Sequence, residues 1–151
     1  MGTIGRQARD IGLNVPLLGG DGWDSPKLLE GAGTALEGCF FSDHYFSPDL
    51  KEAETKKFIA DFEKEYGAKP DSLGALGYDA AGILIAAMKR AKSLDGPSIR
   101  DALAQTKDFP GVAGKVTIDA NRNARKAALI MQVQGKVTKV FKSYTPEQIG
   151  Q

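Results

Sequence analysis

Apolar and polar positions divide the chain into three stretches of different character. Helix-favouring residues run from Thr3 to Ile11 and stop at Gly12, where a glycine suits a helix C-terminus. Val15 to Leu18 is a short apolar run between turn signals, the pattern of a buried strand in an α/β sheet. Ser25 stands directly before Pro26, an N-cap residue followed by a proline at the first helical position, which predicts a helix towards Ala32. Gly38 to Phe41 then repeats the buried-strand pattern. The first stretch therefore reads helix, strand, helix, strand.

From Pro48 the period changes. Phe58, Ile59, Phe62 and Tyr66 recur at three- and four-residue steps between charges, which predicts a long amphipathic helix closed by Gly67. After the loop AKPDS comes an alanine-rich segment, Leu76 to Ala91, carrying Tyr78, Ile83, Leu84, Ile85 and Met88. It is apolar on all sides, so a buried helix packed on a sheet is expected. A third helix is predicted from Ser98 to Gln105, with Pro97 near its first turn and Ile99 and Leu103 inward.

The last stretch alternates. Val116 and Ile118, the polar run DANRNARK, Ala128 to Val133, a turn at Gly135 and Val137 to Phe141 read as strands joined by tight turns. Thr145 to Gln148 has the T-x-x-Q form of a capping box. The class is α/β.

Composition narrows the partners. With 151 residues and 42% apolar content the chain can form a compact domain with a hydrophobic core. Lys and Arg number 20 against 19 Asp and Glu, so no excess charge is available to hold a nucleic-acid backbone or an anionic membrane. The one cysteine, Cys39, excludes an intramolecular disulfide and a multi-cysteine zinc site, and within EGCFF it reads as a small buried hydrophobe. No run approaches the roughly 20 apolar residues of a membrane span, and MGTIGRQARD lacks a signal-peptide core. That opening already reads as mid-helix, so a piece of something larger is expected.

Catalytic and metal chemistry find little support. His44 is the only histidine and follows Asp43, but no nucleophile is identifiable beside it, and two-histidine metal motifs cannot occur. The segment GGDGWD lacks GxGxxG spacing and a GK[ST] ending, and its acid would repel a phosphate. Asp119, Asn121 and Asn123 begin like a calcium loop, yet Ala124 and Ile130 stand where glycine and glutamate are required, so a hairpin turn is the better reading. No enzyme, metal or cofactor is expected. Asp21 remains. An acid at the carboxyl end of a strand lies where α/β sheets bind ligands, flanking glycines allow close approach, and negative charge suits a cation. The competing reading is that Asp21 or Asp24 caps the next helix, but Ser25 is better placed to do so.

Four segments in order, RQARDIGLNVPLLGGDGWDSP, AGTALEGCFFSDHYFSP, FIADFEKEYGAKPDSLGALGYDAAGIL and GKVTIDANRN with ALIMQVQGKVTKV, resemble the C-terminal half of the branched-chain (Leu/Ile/Val-type) amino-acid-binding proteins of ABC importers. The resemblance covers essentially the whole chain. It implies a partial, truncated type I periplasmic-binding-protein fold, with pieces of two doubly wound lobes. Residues 1–44 and 130–151 would belong to lobe 2 and 45–129 to lobe 1, with crossings in the His44-Tyr45-Phe46 stretch and between Ala128 and Ile130. By position, Asp21 would take the ligand's α-ammonium group, with Gly22 and Trp23 on the same loop. Leu73 to Leu76 would supply apolar contact to the ligand side chain.

The family's first half is absent, so one copy is not expected to bind ligand alone. Apolar helix faces such as Tyr78 to Met88 would lose their usual cover, which points to a homodimer or to exchange of elements between copies. The implied partners of the full-length, extracytoplasmic protein are an amino acid or related small molecule and a membrane permease. A ligand-sensing domain of a receptor or regulator on the same fold is the alternative, and an α/β enzyme using Asp21 and His44 the remaining one.

Overall fold

The computed structural model describes residues 2–45 and 53–150. Two compact units emerge, one of residues 1–44 with 128–144 and the other of 45–127 with 145–151.

Unit 1 opens with helix α1, Gly2–Asp10. Gly12 sits at φ 83 and donates to the Arg9 carbonyl while Leu13 donates to that of Ala8, the paired bonds that close a helix with a left-handed residue. Strand β1 is only Leu18–Gly19. The expected strand from Val15 is shortened because Pro16 has no N–H and the Leu17 N–H goes to the Cys39 sulfur at 3.2 Å. Leu18 is also exposed rather than buried. A 3₁₀ turn, Asp21–Trp23, precedes α2, Pro26–Ala32. Ser25 holds the cap position in extended backbone, but its hydroxyl makes no capping bond.

The second strand, β2, runs Phe40–Asp43 rather than from Gly38, because Gly38 is left-handed at φ 73. Strands β6, Ala128–Gln134, and β7, Val137–Tyr144, complete a four-stranded sheet in the order β1-β2-β6-β7. Among the described residues only β1 and β2 pair in parallel, with Leu18 opposite Phe40, whereas Phe41 faces Met131 across an antiparallel pair. Gly135 and Lys136, at φ 58 and 67, form the two-residue turn between β6 and β7, the mirror-image geometry that matches strand twist. Glu37 accepts from the Gly135 N–H at 3.0 Å and ties that turn to the preceding loop.

The core of this unit joins Leu28, Ala32, Leu36, Cys39, Phe41, Met131 and Val133, all buried. Arg9 fastens its near end. Its guanidinium donates to the carbonyls of Ala35 at 2.9 Å, Leu13, and Val15 at 2.9 Å, and to the Cys39 sulfur at 3.4 Å.

Unit 2 holds α3, Ala53–Tyr66, α4, Ser72–Arg90, and α5, Gly96–Ala104. The expected start of α3 at Pro48 lies outside the described residues; its end at Gly67, φ 69, follows the sequence pattern. Asp71 and Asp95 cap α4 and α5 by accepting from the Gly74 and Ser98 N–H groups, each at 2.8 Å. Strands β3, Phe109–Gly111, β4, Gly114–Ile118, and β5, Ala124–Arg125, form a separate antiparallel sheet. Tyr45, Phe58, Ala75, Val112 and Ala113 form a buried apolar cluster in this unit.

Helix α4 departs from expectation. Its buried stripe is Ser72, Ala75, Asp79, Ile83 and Ala87, while Tyr78, Leu84, Ile85 and Met88 are exposed. Apolar content all round marks a helix that can be covered on two faces, and here one face is covered.

Candidate functional site

The segment that carries the candidate ligand chemistry is a short strand, a glycine pair and one tight turn. Trp23 donates its backbone N–H to Gly20, Asp24 donates to the Asp21 carbonyl at 2.9 Å, and Ser25 to the Trp23 carbonyl at 2.8 Å. These bonds close the loop on itself. The loop is anchored from below by Trp23, which is 5% exposed and packs 6.1 Å from the Phe41 ring centre at a tilt of 38°. Gly19 makes that packing possible: a β-carbon built there would lie 2.2 Å from the Trp23 ring.

Asp21 and Gly22 lie on the exposed side of the same turn. No side-chain hydrogen bond or ion pair to Asp21 occurs among the described residues. The acid is therefore held by its backbone while its carboxylate stays open to solvent. Gly20 and Gly22 leave open space where side chains would stand, so a ligand can approach the main chain closely. Trp23 sits in the core beneath the loop, and its indole faces Gly19 and Phe41. Leu73 belongs to unit 2, as the second residue of α4, and is 63% exposed.

The other residues weighed from sequence have local roles. The carboxylate of Asp119 accepts from the N–H groups of Asn121 and Asn123, both at 2.8 Å, which makes a turn of the D-x-N-x-N run. Asp43 is buried and accepts from the His44 N–H at 2.7 Å. Cys39 is fully buried. Among the described residues no group of three or more His, Cys, Asp or Glu is placed to hold a metal, and no helix is long and apolar enough to cross a membrane.

One acid that the sequence reading passed over is committed to the fold. Asp79, 4% exposed on α4, accepts from the N–H of Val112 at 2.6 Å and of Ala113 at 2.9 Å. Its signal was available: Ala75, Asp79, Ile83 and Ala87 share one helix face, and an acid on a buried stripe must find donors.

The chain belongs to the periplasmic binding protein family, whose model matches residues 1–138. Within that family it is similar to proteins of the branched-chain amino-acid type. It is 32% identical over 120 residues to the Leu/Ile/Val-binding protein BraC3 of Rhizobium johnstonii, a match covering 77% of this chain and 31% of the relative.

The fold agrees with the leucine-binding protein LivK of Thermotoga maritima, with a TM-score of 0.87 and 36% identity, over 97% of this chain and 42% of that one. LivJ of Streptococcus pneumoniae, a branched-chain amino-acid transporter substrate-binding protein solved with isoleucine, matches with a TM-score of 0.76 and 31% identity, over 94% and 40%. The chain thus has part of a type I periplasmic-binding-protein fold and spans between about a third and two fifths of these relatives. They are binding proteins rather than enzymes, and members of the family are extracytoplasmic.

Proposed function

We propose that the chain supplies one part of an extracytoplasmic solute-binding component of an ABC importer for branched-chain or related amino acids. In this reading residues 1–44 and 130–151 belong to the second lobe of a two-lobed trap and 45–129 to the first. The observation that carries it is Asp21, an exposed carboxylate without a side-chain partner among the described residues, on a glycine-flanked turn anchored by Trp23. Such a group can accept charge-assisted bonds from an α-ammonium, each contributing about 1.5–3 kcal/mol when sheltered from water. Gly22 lets the ligand reach the loop, Trp23 fixes the loop from beneath, and exposed Leu73 at the start of α4 offers apolar contact.

Shelter requires both lobes, so contacts from the second strengthen binding only on closure and couple occupancy to conformation. One copy of the 151-residue chain therefore does not bind ligand, and its uncovered apolar faces lead it to self-associate. A membrane permease is the partner of the longer form.

Isothermal titration calorimetry tests this. The 151-residue chain is expected to give no heat with leucine, isoleucine or valine, whereas a form carrying the rest of the family fold binds. In that form Asp21→Asn is expected to weaken binding about ten- to a hundredfold, the loss of one such bond. Micromolar binding by the short chain, or unchanged affinity in the variant, overturns the reading.

A further inference from the structure

Strand β1 is too short to place itself. It pairs with β2 through Leu18 and Gly19 alone, at the edge of its sheet, whereas a strand commonly runs about five or six residues. Asp21 follows two residues after Gly19. Whatever fixes the chain ahead of Leu18 therefore also sets where the carboxylate emerges.

Two side chains supply that restraint. Residues 13–16 belong to no helix or strand, and Pro16 has no N–H to give. Arg9, in the last turn of α1, donates from one terminal nitrogen to the carbonyls of Leu13 and of Val15, the latter at 2.9 Å. Its other terminal nitrogen reaches the Cys39 sulfur at 3.4 Å, and its Nε the Ala35 carbonyl at 2.9 Å. The same sulfur accepts from the Leu17 N–H at 3.2 Å, one residue before β1. There the Phe40 N–H donates to the Leu17 carbonyl at 3.1 Å, and the parallel pairing begins.

A planar guanidinium with its donors in a fixed fork can hold three carbonyls and a sulfur at once, a geometry that an ammonium on a flexible stem does not reproduce. The bonds to Leu13 and Val15 lie at the surface, where water can replace a lost donor, so they add little to stability. Their geometric effect is larger, because they tie the chain entering β1 to the connection between α2 and β2.

We propose that Arg9 and Cys39 are positioning residues for the ligand loop: by clamping residues 13–17 they fix the register of β1, and with it the point at which Asp21 meets an α-ammonium group. This role rests on the ligand reading of Asp21 given above.

Calorimetry with leucine, on a form carrying the rest of the family fold, tests it. Arg9→Lys keeps the charge but not the fork, and is expected to weaken binding about tenfold, the lower end of the loss from Asp21→Asn. In the double variant the two losses should fall short of multiplying, because a displaced Asp21 has less to lose, whereas a merely structural role for Arg9 would multiply them. Cys39→Ala should also weaken binding, and Cys39→Ser, which restores an acceptor for the Leu17 N–H, should recover part of the loss. The Cys39 pair carries the comparison should Arg9→Lys not fold. In the 151-residue chain, amide exchange of Leu17 should accelerate in Arg9→Lys and Cys39→Ala while circular dichroism is unchanged. A loss in Asp21→Asn beside unchanged affinity in Arg9→Lys and Cys39→Ala, or losses that multiply in full, overturns the positioning role alone. A silent Asp21→Asn overturns the ligand reading and this role with it.

Discussion

Asp21 and Asp79 are two acids on apolar scaffolds, each close to glycine, yet they stand in opposite situations. Asp79 is buried, and two backbone N–H groups of the turn from β3 to β4 use its oxygens. Gly111 is small because of it, since a β-carbon there would lie 2.4 Å from the carboxylate. Asp21 is exposed and lies in a turn whose backbone bonds are made without its side chain. A carboxylate whose acceptor capacity is filled by its own chain is part of the fold; one held out by glycines, with that capacity open, is available to something else. Residue type is the same in both, and only partners separate them.

The largest expected effect comes from emptying the filled site. Asp79→Ala leaves the Val112 and Ala113 N–H groups without their acceptor in a buried position. Two charge-assisted bonds are lost together, so a destabilisation of about 3 kcal/mol or more is expected in urea unfolding. The damage should be confined to unit 2. Amide exchange of Val112 and Ala113 should accelerate, while the fluorescence of Trp23, the one tryptophan of the chain, stays unchanged because it reports on unit 1. A shift in Trp23 emission would break the separation between the two regions.

A smaller effect is expected at the floor of the open site. Gly19→Ala places a methyl group inside contact distance of the Trp23 indole, which must move for the β-carbon to fit. Overpacking of this kind costs about 1–3 kcal/mol. Trp23 emission should shift towards the solvent-exposed range while the exchange of Val112 and Ala113 is unaffected, the reverse of the Asp79 result.

Local grammar in the sequence already contained much of this fold. Gly12, Gly67 and Gly135 stop or turn the chain where their left-handed backbone is required, and Thr145-x-x-Gln148 forms half of its box, with Thr145 N–H donating to Gln148 at 2.9 Å. What pattern could not show was set by distant partners. The Val15 strand fails because a sulfur 22 residues away takes the Leu17 N–H. Arg9 reads as an ordinary helix residue, yet it bonds to Ala35 and Cys39, 26 and 30 positions on. The mean apolarity of α4 could not say which faces are covered, whereas its spacing could have marked Asp79 as interior. At the candidate site the loop was legible from LLGGDGWDSP because strand, glycines and acid are contiguous. The role of Gly19 was not, since it depends on where the indole of Trp23 turns.

The smallest expected change is the most informative about Asp21. Asp21→Ala removes an exposed side chain that makes no bond among the described residues, so unfolding free energy should move by no more than about 0.5 kcal/mol, as for surface positions without special features. Trp23 emission and the exchange of Val112 and Ala113 should both stay where they are. If the carboxylate were instead a helix cap for α2, the same substitution would cost about 1 kcal/mol and loosen Pro26–Ala32, measurable by amide exchange of Leu28 and Leu29. A silent substitution therefore means that the acid does nothing for the fold that carries it. Its carboxylate is then free for the ligand role proposed above.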